Sequence, residues 1–196
     1  RSLHATLIEN LNADGAKLIV FDLLFSGPTV VAEDQALSNA LAKTKNVVIA
    51  QRIDRDSIQN RKSLEFPYYD DANRIDFEKS TSVGLAEVSL DGDDVIRSFV
   101  PALKFQGEWL PSLATAAYLR LEGKSNSSIV VSSESVQLGE KAFGPVHSST
   151  IDAVDKSAIK SLLVDFPAGM DAFESTYSYD QVVLKQFPAG SFRSKI

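Results

Sequence analysis

The chain has 196 residues, of which 44% are hydrophobic and 23% are charged, and its formal net charge is −6. A chain of this length can bury a sizeable core, whereas its acidic balance argues against nucleic acid as a partner, because phosphate backbones are bound by basic surfaces. The absence of cysteine excludes disulfides, thiolate metal sites and a cysteine nucleophile.

The first fifty residues predict two buried strands after an opening helix. Apolar residues at helical spacing over residues 2–13 indicate an amphipathic helix that ends at Asp14-Gly15. Nearly continuous apolar runs over residues 17–25 and 46–52 are typical of strands covered on both faces, as in a parallel sheet.

A second helix is predicted between these strands. We expect Glu33 or Asp34 to cap its first turn. Its apolar face carries Ala36, Leu37, Ala40 and Leu41. Two strands joined by such a helix form a βαβ unit, which is expected to be right-handed.

The rest of the chain predicts antiparallel pairing. Residues 83–90 and 95–104 flank Asp91-Gly92-Asp93-Asp94, which indicates a hairpin. Pro111 is expected at the first position of a helix over residues 112–121. The other predicted segments are an exposed excursion over 53–81, short strands over 129–131, 136–138 and 162–166, and a helix over 179–184 capped by Ser178. The predicted fold class is therefore α/β, a mixed sheet with a parallel βαβ start, an antiparallel hairpin and helices packed on the sheet.

Polar residues near the strand ends are the candidate ligand contacts. Open α/β sheets bind ligands beyond the carboxyl ends of their strands, and a carboxylate such as Asp22 within an apolar run is costly unless it is paired or lies at the strand's open end. The candidates are Asp22, Ser26, Asp34, Gln51 and Arg52. One interpretation is a small anionic ligand held by the second helix's N-terminus and Arg52. The other is a structural ion pair between Asp22 and Arg52 without a ligand.

The sequence offers little for catalysis. It has no G-x-S-x-G elbow, no histidine spacing suited to a metal and no glycine-rich phosphate loop. The two histidines are His4, on the first predicted helix, and His147, in a serine-rich stretch. We therefore expect no catalytic residues, metal or cofactor. A pair of carboxylates assembled by the fold would be the remaining route to hydrolysis.

Short motifs follow one another along the chain in a characteristic order. They are Arg1-x-x-His4-Ala5-x-Leu7-Ile8-x-x-Leu11, Gly15-Ala16-Lys17-x-Ile19-x-Phe21-Asp22-x-x-Phe25, Asp34-x-x-Leu37-x-x-Ala40-Leu41, Val83-Gly84, Asp91-Gly92-Asp93-Asp94-Val95-Ile96-Arg97, Pro111-Ser112-Leu113-Ala114 and Tyr177-Ser178-Tyr179-Asp180-Gln181-Val182-Val183-Leu184. In this order they resemble CHASE2 domains, the extracytoplasmic sensory domains of bacterial transmembrane receptors, over almost the whole chain.

The resemblance implies a single periplasmic or extracellular sensor domain over residues 1–196. A membrane span would precede it, several spans would follow, and a cytoplasmic kinase or cyclase module would supply the output. The family pattern includes a strand before the position of Arg1 and the remainder of a late strand that starts within 192–196. Neither is present in this sequence, so we expect a domain truncated at both ends. The resemblance brings no binding residues with it.

Three functions are compared on this basis. The first is a non-catalytic sensor of a small ligand, which a pocket at the strand ends would favour. The second is a periplasmic module for homodimerisation or docking of a partner protein, which a flat apolar patch would favour. The third is a hydrolase, which requires two carboxyl groups about 5 to 10 Å apart in a cleft.

Overall fold

The computed structural model describes residues 1–25, 29–51, 81–86, 93–105, 108–151, 158–164 and 176–196. Its helices within these ranges are α1 (Ser2–Ala13), α2 (Val31–Lys43), α3 (Leu113–Leu121) and α4 (Tyr179–Val183), with a 3-10 turn at Asn126–Ser128. Its strands are β1 (Ile19–Phe21), β2 (Val47–Gln51), β3 (Ser82–Leu85), β4 (Ser98–Phe99), β5 (Ala102–Phe105), β6 (Glu108–Pro111), β7 (Ile129–Val131), β8 (Val136–Leu138), β9 (Lys141–Phe143), β10 (His147–Ile151) and β11 (Ala158–Leu163). The fold is mixed α/β, as predicted.

The parallel start of the fold follows the prediction. β1 and β2 are parallel, in a register that runs from Ile19 beside Val47 to Phe21 beside Ile49. They belong to a sheet with the strand order β1-β2-β3. Every residue of β2 is buried, which explains why the apolar run shows no alternation. The predicted βαβ order is therefore confirmed.

The hairpin predicted between residues 83–90 and 95–104 is wrong as far as these residues are described. Residues 87–92 lie outside the described part of the chain. β3 joins the parallel sheet, β4 pairs with β11, and β5 pairs with β6 in antiparallel orientation. Pro101 separates β4 from β5, because proline has no N–H to donate to a ladder. An antiparallel hairpin does follow the parallel start, but it is β5–β6, one element further along the chain.

The predicted caps of α2 and α3 need correction. α2 begins at Val31 after the N-cap residue Val30, so that Glu33 and Asp34 lie inside its first turn. At α3, Pro111 is the last residue of β6 instead of the first residue of the helix. α2 therefore begins three or four residues earlier than predicted, whereas α3 begins two residues later, at Leu113 after the N-cap residue Ser112.

The hydroxyl cap predicted for α4 is confirmed, and a second hydroxyl cap, which was not predicted, begins α3. The hydroxyl of Ser178 accepts the N–H of Gln181 while the Gln181 side chain accepts the N–H of Ser178, which is a capping box at α4. Ser112 caps α3 by accepting the N–H of Thr115. α1 ends next to Gly15, whose φ of +90° suits glycine.

The late part of the chain departs from the prediction in two places. β11 covers Ala158–Leu163, whereas the predicted strand was 162–166, of which 165 and 166 lie outside the described residues. Residues 192–196 form turns and not the start of a strand. The carbonyl of Lys195 accepts the N–H of Lys17 at 2.9 Å, so this segment lies beside the entry to β1. Most of the predicted excursion 53–81 also lies outside the described residues.

The chain divides into two compact units. The first consists of Arg1–Ile49, Phe66–Ser82 and Pro167–Ile196. Its core joins the inner faces of α1 and α2 to β1 and β2 and includes one residue of α4. The buried residues are Ala5, Leu7, Ile8, Ile19, Phe21, Phe25, Leu37, Ala40, Leu41, Val47, Ile49 and Val182. The predicted apolar face of α2 is thus confirmed, since Leu37, Ala40 and Leu41 are buried and Ala36 packs against them.

The second unit consists of Ala50–Glu65 and Val83–Phe166. Its described core is smaller and is formed by residues of α3, β5, β7 and β8. Its buried residues are Ala102, Leu119, Ile129, Val136 and Leu138. The predicted single domain over residues 1–196 stays a prediction.

Candidate functional site

The loop that leaves β1 exposes a carboxylate and two leucines. The strand ends at Phe21, so Asp22 lies past its open end and is exposed. Leu23 and Leu24 are also exposed, at 46% and 41%, before Phe25 is buried again. No hydrogen bond or ion pair within the described ranges involves Asp22. Its charge therefore avoids the cost of burial because it faces water, which was one of the two ways the sequence left open.

Asp34 has a structural environment. Its carboxylate accepts the backbone N–H of Thr29 at 2.8 Å and the Thr29 hydroxyl at 2.7 Å. It also pairs with the guanidinium of Arg1 at 3.0 Å, and both side chains are more than nine-tenths buried. Burial tends to raise the pKa of Asp34, but the Thr29 hydrogen bonds and the Arg1 charge outweigh it, so the pKa is lowered. The carboxylate thus fixes the loop before α2.

Glu33 ties α2 to the start of α1. Its Oε2 atom accepts the backbone N–H of Ser2 at 2.7 Å. The sequence predicted a helix cap at this position and gave no signal for a partner 31 residues away.

An aromatic cluster lies next to these carboxylates. The His4 ring meets the rings of Phe21, Phe25 and Tyr179 nearly edge-on, at centroid distances of 5.9, 5.2 and 5.5 Å. Nδ1 of His4 lies 3.0 Å from the Tyr179 hydroxyl. The Arg1 guanidinium lies 5.7 Å from the centre of the Phe25 ring, within cation–π range. The cluster joins α1, α4 and the end of β1.

His4 is a packing residue in this arrangement. Burial, followed by the positive charge of the Arg1 side chain, lowers the pKa of His4. Burial raises the pKa of Tyr179. Both shifts favour the neutral forms, which suit contact between rings. The sequence predicted His4 on α1 but gave no sign that Tyr179, 175 residues away, would be its partner.

The other predicted contact residues are Gln51, Ser26 and Arg52. Gln51 is the last residue of β2 and is buried, and its Oε1 atom has no hydrogen-bond partner within the described part of the chain. Its backbone carbonyl accepts the N–H of Ala86 at 2.8 Å. Ser26 and Arg52 lie outside the described residues, so the predicted pair of Asp22 with Arg52 stays a prediction. Among the candidates, Asp34 alone is placed in a hydrogen-bonded cluster by the described contacts.

Glu33 and Asp34 are not arranged as a catalytic pair of carboxylates. Asp34 is engaged by Thr29 and Arg1, and Glu33 accepts the N–H of Ser2. A catalytic pair needs one carboxyl group free to act as an acid with a raised pKa, whereas the pKa of Asp34 is lowered. Within the described ranges, no group of three or more His, Cys, Asp or Glu side chains is suited to a metal.

The second unit contains a pocket whose lining includes none of the predicted site residues. It encloses about 310 Å³. Its lining residues are Ala142, Phe143, Gly144, Pro145, His147, Leu162 and Leu163. The walls are mostly apolar, and His147 is the single titratable residue in them. The sequence pattern does not predict that His147 lies beside residues 162 and 163, because this contact requires the pairing of β10 with β11.

These features describe a mixed α/β fold with an exposed polar strand end, in which Glu33 and Asp34 are engaged in structural bonds. The family model for the CHASE2 domain matches residues 1–196, and the chain therefore belongs to the CHASE2 family. This is a family of non-catalytic sensory domains of receptors, located outside the cytoplasm.

The other comparisons add no relative. Neither the search of curated proteins nor the search of solved structures found a match. Within the described ranges, no helix has the length and apolar character needed to cross a membrane. The resemblance read from the sequence motifs is confirmed by the family match.

Proposed function

We propose that this chain is the extracytoplasmic ligand-sensing domain of a membrane-anchored signal-transduction receptor. The observation that carries the proposal is the CHASE2 match over residues 1–196. The output module of the receptor would be a histidine kinase, a Ser/Thr kinase or a nucleotide cyclase, joined through membrane spans outside residues 1–196. The domain itself performs no chemistry and acts by binding its ligand differently in two receptor states.

The proposed ligand contact in the first unit is the exposed end of β1. Asp22 supplies a charged acceptor, and the adjacent Leu23 and Leu24 supply apolar surface. The bonds of Thr29 and Arg1 to Asp34 fix the next element, so that the loop leaving β1 is held at both ends. A charged group beside apolar side chains on a fixed frame is the usual composition of a small-molecule contact.

The sequence-based proposal for the ligand is a small organic anion. It rests on Arg52 and on the N-terminus of α2, with Ser26 and Gln51 as further polar contacts. The first turn of α2 already carries Glu33 and Asp34, which offset the helix dipole. Exposed Asp22 favours an amine instead. The charge of the ligand is therefore the variable that a first experiment has to decide.

A thermal-shift screen of small organic anions and amines tests this contact. We expect one charge class to raise the melting temperature of the chain, and Asp22→Asn to abolish the effect of amines or Arg52→Ala to abolish that of anions. Glu9→Gln is a matched control, because Glu9 is an exposed acid on α1 of the same unit. A stabilising ligand whose effect survives both Asp22→Asn and Arg52→Ala would place the contact elsewhere.

The receptor assignment has its own test in the full-length protein. Reporter fusions that are active on one side of the membrane should place residues 1–196 outside the cytoplasm. Deleting these residues should uncouple the output from an external stimulus while leaving basal kinase or cyclase activity. A cytoplasmic location would refute the proposal, whatever ligand the screen finds.

A second candidate function is homodimerisation or docking of a partner protein, and exposed apolar residues favour it. Val30 and Val31, before and at the start of α2, are 66% and 75% exposed, and Leu3 on α1 is 59% exposed. Light scattering over a range of concentrations tests self-association. We expect Val31→Glu to abolish any dimer and Val130→Glu, at an exposed position of the second unit, to leave it intact. A monomer at all concentrations would remove homodimerisation through this surface.

A further inference from the structure

The pocket of the second unit is the described cavity that the proposed function does not use. Its volume of about 310 Å³ lies at the lower end of the ~300–1,000 Å³ range of ligand pockets. Two large apolar side chains at its wall, Phe143 and Leu163, are 36% and 67% exposed. Apolar surface of this kind is favourably covered by an apolar ligand. The volume limits that ligand to a compact molecule.

The walls of the pocket are held in place by contacts outside the cavity. Phe143 pairs with Val136 across β8 and β9, and its ring meets Tyr118 edge-on at 5.9 Å. At Gly144 a Cβ atom would lie 2.8 Å from the carbonyl oxygen of Glu134, so the backbone approaches too closely for any other residue. The pocket is therefore formed before a ligand arrives, which reduces the cost of binding.

His147 is the one side chain in the wall with a strong hydrogen-bonding group. It pairs with Ser161 across β10 and β11, which places it beside Leu162 and Leu163. Its side chain is exposed, and within the described ranges its imidazole makes no hydrogen bond. Imidazole in its neutral form offers one donor and one acceptor. A ligand hydroxyl or N–H group can satisfy the acceptor without bringing a charge.

We propose that this pocket binds a compact, uncharged aromatic molecule with one hydroxyl or N–H group, of the phenol or indole class. The apolar walls take the ring and His147 accepts the hydrogen bond. A carboxylate is a poorer fit, because the chain carries a net charge of −6 and the lining has no fixed cation. This site is separate from the end of β1 and does not depend on the receptor proposal.

Proton NMR of the two imidazole rings tests the proposal, with p-cresol as the probe and toluene and benzoate as comparison compounds. The chain has two histidines, one in each unit, and His4→Gln assigns their signals. At fixed pH we expect p-cresol to shift the His147 signals saturably, with a Kd of about 1 mM or below. The His4 signals should not move. Absence of a saturable His147 shift, or equal shifts at both rings, overturns the proposal.

Variants separate the pocket from a chance surface contact. Ala142→Trp fills the cavity from an exposed position and should weaken p-cresol binding at least about tenfold. Val130→Trp, at an exposed position of the same β7–β9 sheet outside the lining, should not. Leu163→Asp serves the same purpose if the tryptophan variant misfolds. Unchanged affinity in a folded pocket variant refutes the site.

The role of His147 is tested by ligand-observed NMR in His147→Leu, which removes the acceptor and keeps an apolar side chain. Wild type should prefer p-cresol over toluene, because only p-cresol donates a hydrogen bond. The preference should shrink in His147→Leu, while toluene binding is retained. Tighter binding of benzoate than of p-cresol to wild type would contradict the proposed uncharged ligand class.

Discussion

The two units of this chain reach a stable core by different means. In the first, two helices and two parallel strands contribute ten of the twelve buried residues of one cluster, and Phe25 and Val182 complete it. In the second, short antiparallel strands and one helix contribute a described cluster of five. The first unit buries continuous apolar faces, whereas the second depends more on strand register and on close approach of backbones. We therefore expect substitutions in the first unit to lower stability mainly through lost apolar contacts. In the second unit we expect steric overlap to contribute more.

The approach of β3 to α3 in the second unit illustrates the second kind of packing. A Cβ atom on Gly84 would lie 2.6 Å from Cα of Leu113, 2.7 Å from the carbonyl oxygen of Ser112 and 2.8 Å from Cβ of Ala116. Backbone atoms cannot give way as a flexible side chain can. The glycine is therefore required for this contact.

The largest expected effect is the loss of a core leucine from the first unit. Leu41→Ala should lower the free energy of unfolding by about 3–5 kcal/mol, because Leu41 is fully buried against neighbours on several elements. Leu119→Ala in the smaller core of the second unit should cost about 2–3 kcal/mol. Urea unfolding measures both. Equal costs, or a larger cost for Leu119→Ala, would break the comparison between the units.

The next effect tests close backbone approach in the second unit. Gly84→Ala should destabilise the chain by about 1–3 kcal/mol through overpacking against α3. Gly123→Ala is the matched control, since no atom lies within 4 Å of its added Cβ and the cost comes only from its φ of +64°, about 1 kcal/mol. Thermal unfolding of the two variants should rank Gly84→Ala as the more damaging. The reverse order would mean that β3 and α3 separate easily.

The smallest effect concerns a carboxylate that fastens the late turns of the chain to α1. Asp14 accepts the N–H of Phe192 at 2.7 Å and of Gly190 at 2.6 Å. These hydrogen bonds, strongest from Phe192, lower the pKa of Asp14 below its usual 3.8, and the Arg193 charge adds to them against the opposing effect of burial. The contribution to stability is therefore complete above the unfolded pKa and is lost as the pH falls through the folded one.

We expect Asp14→Asn to melt below wild type at neutral pH and the difference to shrink as the pH is lowered past 3.8. Melting temperatures of both proteins across the acid range measure this. Glu9→Gln on the same helix provides the control, because Glu9 is exposed and remote from the late turns in the described hydrogen bonds. A difference that stays constant down to low pH would show that the Asp14 carboxylate acts by shape and not by charge.

The candidate site could be predicted only in part, for reasons that particular residues make plain. Asp34 was named from sequence as a ligand contact, yet its nearest groups are Thr29 and Arg1, which occupy it. The Thr29 contact is local, but the Arg1 contact spans 33 positions, and no periodic pattern in the sequence indicates it. Tyr179 and His4 meet across 175 positions. Residues this far apart are paired by packing, which a single sequence does not display.

The sequence by itself determined the features that depend on residues close together along the chain. The length of α1, the glycine that ends it, the serine cap of α4 and the unalternating runs of β1 and β2 all follow from local spacing and backbone preference, and the ordered motifs led to the CHASE2 family. The tertiary structure decided which strands pair after β3, because Pro101 interrupts the chain and partners compete across long separations. It also decided that His147 would stand beside Leu162 and Leu163, since only the pairing of β10 with β11 places the imidazole in an apolar wall.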